Sequence, residues 1–214
     1  HIMRPFKQYV IQALQLYNKF EIGLIAPLHG PVLRTNPQNY IDKYALWSED
    51  AKLHKNIAGK KIVSVFYMSS YDNTLAMAEK ISQGADSLDG IIASMYDLAS
   101  LEEQNMIDLL EESDAVIVGS PTINGDAVKP AWDLMACIPY LENAGKIGAT
   151  FGSYGWTGEA PDMLQDRMQW LKFRLPTAPL KIKLIPTDEE LVSCYNFGRE
   201  VAEVAMGKIM EMEL

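Results

Sequence analysis

The chain has 214 residues, of which 48% are apolar and 22% charged, and it carries a net charge of −9. That length suits one full domain with part of a second. No apolar run approaches the roughly 20 residues that span a bilayer, and an acidic chain is a poor partner for a nucleic-acid backbone, which is bound through basic patches.

The negative charge leaves room for a single phosphate, because backbone N–H groups and hydroxyls at a helix start hold one without Lys or Arg. It also suits docking against a basic redox partner, and it serves solubility in any case. Near the N-terminus the apolar residues are interrupted by Lys7, Gln8, Gln12 and Gln15, so no secretory leader is legible. Cys137 and Cys194 are far apart, form no CxxC and fall at apolar positions of predicted helices. They read as reduced, buried thiols, which points to the cytoplasm.

Pro5 to Lys19 reads as an amphipathic helix with Phe6, Val10, Ala13, Leu14 and Tyr17 on one face. Glu21 to Ala26 reads as a short strand. Asn36-Pro37 supplies a cap and first helical residue for a helix to about Leu46. Ser48 to Gly59 is polar and reads as a linker. These few elements bury little by themselves. Residues 1–47 are therefore expected to be the end of a larger domain whose body lies upstream, 48–59 a linker, and 60–214 a domain of its own.

From residue 60 strand and helix patterns alternate. Lys61 to Tyr67 is rich in Val, Ile and Phe. Asn73 to Leu88 places Thr74, Ala78, Ile81, Ala85 and Leu88 on one helical face. Gly90 to Tyr96 is the second strand, and Ser100 with Glu103 predicts a capping box for a helix that turns Ile107 and Leu110 inward. Asp114 to Gly119 is a buried strand, followed by a helix over Ala127 to Leu141 with Pro130 in its first turn and Pro139 kinking or ending it early. Lys146 to Phe151 is the fourth strand. Gly158 to Leu171 is a helix with Leu164, Met168 and Leu171 on one side. Leu180 to Ile185 is the fifth strand. Thr187 with Glu190 caps a last helix whose inner face is Leu191, Cys194, Gly198, Val201 and Ala205.

Alternation of this kind means parallel strands joined by right-handed crossovers. Too few units are present for an eight-stranded barrel. The expected fold is therefore α/β, a flavodoxin-like doubly wound five-stranded parallel sheet of order 2-1-3-4-5. In such a sheet ligands bind beyond the carboxyl ends of the strands.

Three polar junctions lie at those ends. The first is Ser69, Ser70, Tyr71, Asp72, Asn73 and Thr74, whose hydroxyls and helix-start N–H groups converge on a point suited to a phosphate. A plain capping turn would use the same residues. It is no Walker loop, which needs Gly-Lys-Ser/Thr. The second junction is Ser120 to Asp126, with Pro121, Thr122, Ile123, Asn124 and Gly125, whose backbone can line a planar ring. Ile123 could instead pack beneath the next helix. The third is Gly152 to Gly158, holding Ser153, Tyr154, Gly155 and Trp156. Its glycines permit close backbone approach, and its aromatics suit stacking on a ring or a protein contact. No GxGxxG occurs, and His1, His29 and His54 all lie outside the α/β body, which leaves a Ser–His–Asp hydrolase unsupported.

Taken together, Ser69-Ser70-Tyr71-Asp72-Asn73-Thr74, Gly119-Ser120-Pro121-Thr122-Ile123-Asn124 and Phe151-Gly152-Ser153-Tyr154-Gly155-Trp156-Thr157-Gly158-Glu159-Ala160 resemble the flavodoxin-like domain of the flavodiiron proteins, or A-type flavoproteins. Ala26-Pro27-Leu28-His29-Gly30-Pro31, with Tyr44 and Trp47-Ser48, resembles the end of that family's metallo-β-lactamase-like domain. The resemblance implies FMN at the strand ends. Its phosphate would lie on Ser69 to Thr74, and its isoalloxazine on Thr122 to Gly125 and Ser153 to Trp156, with Trp156 stacking. It implies a diiron centre in the full-length parent, reducing dioxygen or nitric oxide, with electrons from rubredoxin or a similar donor. It also implies a head-to-tail homodimer in which one subunit's FMN serves the diiron domain of the partner subunit. His29 matches the last iron ligand of that centre. The other ligands would lie upstream, so no terminal reductase activity and no occupied iron site are expected of this chain alone. Asp72 departs from the Gly of many relatives, and its charge near a phosphate is unfavourable.

Two other functions use the same fold. An FMN-dependent NAD(P)H or quinone reductase would need a nicotinamide pocket, for which no basic cluster is visible. A flavin-free docking or dimerisation module would be colourless.

Overall fold

The computed structural model describes residues 6–17, 19–48, 59–138 and 145–207. The chain divides into two compact units, His1–Lys52 and Leu53–Leu214.

In the first unit, α1 (Lys7–Tyr17) packs on α2 (Pro37–Ser48). Val10, Ala13 and Leu14 are half-buried, whereas Phe6 and Tyr17 of the predicted face are exposed. Asn36 precedes α2 with φ 47 and its carbonyl accepts the Asn39 N–H at 3.2 Å. The strand expected over Glu21 to Ala26 is not formed. One antiparallel bridge, Ile25 with Leu33, takes its place. A strand needs a partner to pair with along its length, and none is offered among the described residues of this unit. Exposed apolar side chains are frequent here, including Phe20, Leu24, Leu28, Val32, Leu46 and Trp47. Most of the expected linker lies outside the described residues.

The second unit is an open sheet. Its elements are β1 (Lys61–Tyr67), α3 (Asn73–Asp86), β2 (Ile91–Asp97), α4 (Glu103–Glu112), β3 (Ala115–Gly119), β4 (Thr122–Ile123), β5 (Asp126–Ala127), α5 (Lys129–Cys137), β6 (Ile147–Tyr154), α6 (Ala160–Trp170), β7 (Leu180–Lys183) and α7 (Asp188–Ala205). The five-stranded sheet has the order β2-β1-β3-β6-β7, all parallel. Because β4 and β5 form a separate hairpin, this is the expected 2-1-3-4-5 arrangement.

Both faces of the sheet are covered, which explains strands that are apolar throughout. On one face Val63, Val65, Ile117 and Phe151 meet α3 and α7. On the other Phe66, Val116 and Val118 meet α4, α5 and α6. α3 and α7 approach closely through two glycines. A Cβ on Gly84 would stand 1.8 Å from the Tyr195 carbonyl oxygen, and one on Gly198 would stand 1.9 Å from that of Ile81.

Helix starts follow the sequence in part. Thr187 and Glu190 form the reciprocal capping box of α7. The box expected from Ser100 and Glu103 is absent. Asp97 ends β2 by accepting the Ala99 N–H at 2.9 Å, and its carbonyl takes the Ser100 hydroxyl at 2.9 Å. With Ser100 held in that turn, α4 begins after Glu102 without a side-chain cap. α5 stops at Cys137, and Ile138 is extended (φ −76, ψ 112), as the residue before a proline must be. Pro139 itself lies outside the described residues.

Candidate functional site

The first junction leaves β1 and enters α3. Asp72 sits in the left-handed region (φ 60, ψ 0) and makes no side-chain cap, a conformation Asp tolerates better than most residues. The Asp72 carbonyl accepts the Ala76 N–H at 2.9 Å, and Ser69 Oγ accepts the Leu75 N–H at 3.3 Å. The N–H groups of Asn73 and Thr74 have no acceptor among the described residues. A helix start with free N–H groups, flanked by the hydroxyls of Ser69 and Ser70, is a site for a negatively charged oxygen. Tyr71 stands 85% exposed beside it.

The second junction is more ordered than a loop. Thr122-Ile123 and Asp126-Ala127 pair as an antiparallel hairpin. Its two turn residues, Asn124 (φ 54) and Gly125 (φ 73), are both left-handed, as the tightest hairpin turn requires. Asn-Gly between short runs was the sequence signal for it. Asp126 Oδ1 accepts the Ala127 N–H at 2.6 Å and the Trp132 indole N–H at 2.9 Å, and Ser120 Oγ accepts the Val128 N–H at 3.1 Å. Pro121 is buried, while Ile123 is 43% exposed at the hairpin edge instead of packing under the helix.

The third junction begins later than the sequence indicates. β6 continues through Gly152 and Ser153 to Tyr154, because Phe151–Tyr154 pair in register with Leu180–Lys183 of β7. Gly152 and Ser153 are therefore buried strand residues. A Cβ on Gly152 would stand 2.0 Å from the Ser120 carbonyl oxygen, so this glycine lets β6 pass the second junction. The loop proper is residues 155–159. Trp156 is 93% exposed in it. Gly158 (φ 76) lies buried under Tyr154, whose ring would be 2.9 Å from a Cβ there.

Hydrogen bonds lock the three junctions together. Thr74 Oγ1 and Ser153 Oγ are 2.9 Å apart and buried. The Ala160 N–H donates to Thr122 Oγ1 at 3.2 Å, and the Ser120 N–H donates to the Phe151 carbonyl at 3.1 Å. The hydroxyls of Thr74 and Ser153 are thus bonded to each other, and the one that accepts keeps its own O–H to donate. Backbone groups of the three segments, with Tyr71, Ile123 and Trp156, remain to meet a ligand. The site is acidic at its β1–β2 end. Burial first, then the carboxylates of Asp97, Glu79 and Asp72, push the Tyr67 phenol above its ordinary range.

Glu159 belongs to the third motif of the resemblance, which gives it no individual role. Its Oε2 is shielded from solvent and has no hydrogen-bond partner among the described residues. In the first unit, His29 is exposed in the bend Leu28–Gly30. Among the described residues no three His, Cys, Asp or Glu gather as a metal site.

An open parallel sheet of this order, with a phosphate-type helix start and an aromatic loop at the same edge, defines a flavodoxin-type domain. The chain belongs to the flavodoxin family, whose model matches residues 65–198. Along its whole length it is related to type A flavoproteins. It is 40% identical over 213 residues to the type A flavoprotein of Rhodobacter capsulatus, covering 100% of this chain and 49% of that protein. It is 29% identical over 205 residues to the anaerobic nitric oxide reductase flavorubredoxin of Aeromonas hydrophila subsp. hydrophila, covering 94% of this chain and 40% of that protein. The same fold occurs in the rubredoxin oxygen:oxidoreductase of Desulfovibrio gigas (TM-score 0.70, 24% identity, 96% of this chain and 50% of that one). The chain thus spans about half the length of the first of these relatives, or less of the second. No helix among the described residues is long and apolar enough to cross a membrane.

Proposed function

We propose that this chain carries the FMN of a flavodiiron oxygen or nitric oxide reductase and hands electrons to a diiron site held elsewhere. FMN, when bound, supplies the step between paired and single electrons. The residues fit such a group. The N–H groups of Asn73 and Thr74 and the hydroxyls of Ser69 and Ser70 would hold its phosphate without a basic side chain. The hairpin Thr122–Ala127 and the loop after Tyr154 would flank the ring, with Trp156 stacking on it. Pro121, Gly152 and Ser153 position those segments, and Thr74 and Ser153 fix the distance between the phosphate end and the ring end.

The observation that carries this reading is the pair of free N–H groups at the start of α3, set beside two junctions that are tied to each other and end in an exposed indole. The names of the relatives support nitric oxide or oxygen as the parent's substrate and a rubredoxin-type donor. Residues 1–47 would belong to the diiron-bearing domain, which accounts for their many exposed apolar side chains, and His29 would be one iron ligand. A head-to-tail homodimer in the cytoplasm completes the proposal.

The test is an absorbance spectrum of the purified chain during titration with FMN, with iron analysis of the same sample. Flavin bands at one equivalent without stoichiometric iron are expected. Failure to take up FMN would overturn the proposal, and rapid bleaching by NADPH alone would favour a nicotinamide-dependent reductase.

A further inference from the structure

Leu184 follows β7 in a conformation that its side chain disfavours. Among the described residues, five other than glycine have a left-handed φ: Asn36, Asp72, Asn124, Lys172 and Leu184. Asn and Asp tolerate that region. Lys172 closes α6, its N–H donating to the Gln169 carbonyl at 3.0 Å and the Phe173 N–H to that of Met168 at 3.1 Å, a common way for a helix to end. Leu184 (φ 61) is bulky, follows a strand and closes no helix. A glycine would make the same turn without strain. Strain of this kind persists where the surroundings enforce it, and it gathers at functional sites.

The core does not enforce it, since Leu184 is 57% exposed and Ile185 after it is more so. The contacts of Leu184 lead instead to the third junction. Its N–H donates to the Tyr154 carbonyl at 2.8 Å, one step beyond the Tyr154–Lys183 pair. Its Cδ2 lies 3.9 Å from where a Cβ on Gly155 would stand. Apart from Gly155 and its chain neighbours, no other atom of the described residues comes within 4 Å of that point. Gly155, Trp156 and Thr157 form no hydrogen bond to main-chain groups among the described residues. The loop is thus braced at one end by Tyr154 over Gly158 and at the other by Leu184 over Gly155. We propose that Leu184 is a positioning residue for the flavin: the strained turn lays its side chain on Gly155 and so fixes the loop that presents Trp156. This rests on the FMN reading above, and Leu184 acts through the loop and not on the ring itself.

The test is a double-mutant cycle read by FMN fluorescence titration, with the visible circular dichroism of the bound flavin and thermal unfolding of each apoprotein. Leu184→Gly is expected to weaken FMN about 3- to 10-fold, the scale on which neighbouring residues couple. Its apoprotein should melt no lower than that of Leu184→Ala, which keeps the left-handed strain but loses the contact with Gly155. Both should alter the dichroism of the bound flavin. Leu184→Met, similar in volume, should restore affinity to within about twofold of wild type and leave the dichroism unchanged. In a Trp156→Ala background Leu184→Gly should weaken FMN by less than about twofold, because the indole through which it acts is gone. An equal loss in both backgrounds, or unchanged affinity and dichroism in Leu184→Gly and Leu184→Ala, would overturn the inference and assign the turn to the end of β7 alone. No FMN uptake by the wild type would overturn the flavin reading and this inference with it.

Discussion

Thr74 Oγ1 lies 2.9 Å from Ser153 Oγ, buried between the first turn of α3 and the end of β6. The two residues belong to different junctions, 79 positions apart in the chain. Their bond sets the spacing between the helix start that would hold a phosphate and the strand end that leads to the aromatic loop. Thr74→Val keeps the shape but leaves the Ser153 hydroxyl buried and unpaired. It should destabilise the chain by about 1–3 kcal/mol. Thr74→Val with Ser153→Ala should recover part of that loss, because neither polar group is then stranded. Urea unfolding of the single and double variants reads both effects, and strict additivity would mean that the hydroxyls do not pair in solution.

Trp156 is expected to affect the ligand and not the fold. At 93% exposure its removal takes little from the core. Trp156→Ala should change stability by under about 0.5 kcal/mol. It should weaken FMN by about 1–3 kcal/mol, the range for an aromatic platform under a planar base. FMN titration by flavin fluorescence checks this, and an unchanged affinity would remove the indole from the ring's surroundings.

Two glycines separate a site effect from a scaffold effect. Gly152→Ala sets a methyl against the Ser120 carbonyl, and Gly198→Ala sets one against the Ile81 carbonyl. Each should cost about 1–3 kcal/mol or more through overpacking against backbone. Gly152→Ala alone should also weaken FMN, since it pushes β6 away from the second junction. Parallel melting curves and FMN titrations distinguish the two.

The cysteines should differ in reactivity. Cys194 is buried, and desolvation first, then the Glu190 carboxylate, pushes its thiol up to about 12 from 9.0. Cys137 is half-exposed and its thiol is raised by desolvation, Glu103 and Asp133. A thiol reagent near pH 8 should label Cys137 in the native chain and Cys194 only after unfolding. The folded state holds the Cys194 proton more tightly than the unfolded state does. Its contribution to stability is therefore complete below pH 9 and declines as pH rises from about 9 to about 12. In Cys194→Ser that alkaline decline should be smaller.

The acidic end of the site should lower the reduction potential of bound FMN below that of free FMN, because reduction adds negative charge beside Asp72 and Asp97. Asp72→Asn should move the potential upward, and added salt should do the same in part. A spectroelectrochemical titration reads the direction, and a wild-type potential above that of free FMN would contradict it.

Most of the scaffold was legible because it depends on local patterns. The apolar run Lys61–Tyr67, the helical spacing of Ala78, Ile81 and Ala85, and the Thr187–Glu190 capping box each act within a few residues. The three junctions were legible for the same reason, since each is a cluster of turn and hydroxyl residues between a strand and a helix. The Asn124-Gly125 hairpin was present in the sequence as well, and reading Ser120 to Asp126 as one irregular loop passed over it.

What the chain determined by itself is the alternation of strands and helices, the parallel sheet that follows from it, and the edge where unusual residues collect. These rest on periodicity and turn chemistry, which are properties of neighbours in sequence. The tertiary structure alone decided where β6 ends, because its last residues are held by β7 across the sheet. It also decided that Ser100 serves a turn and not a cap, that Thr74 and Ser153 bond to each other, and that Glu159 keeps a sealed oxygen with no partner among the described residues. Each of these depends on which groups distant in sequence come within hydrogen-bond reach, and that distance is set only when the sheet closes its register and the helices pack on it.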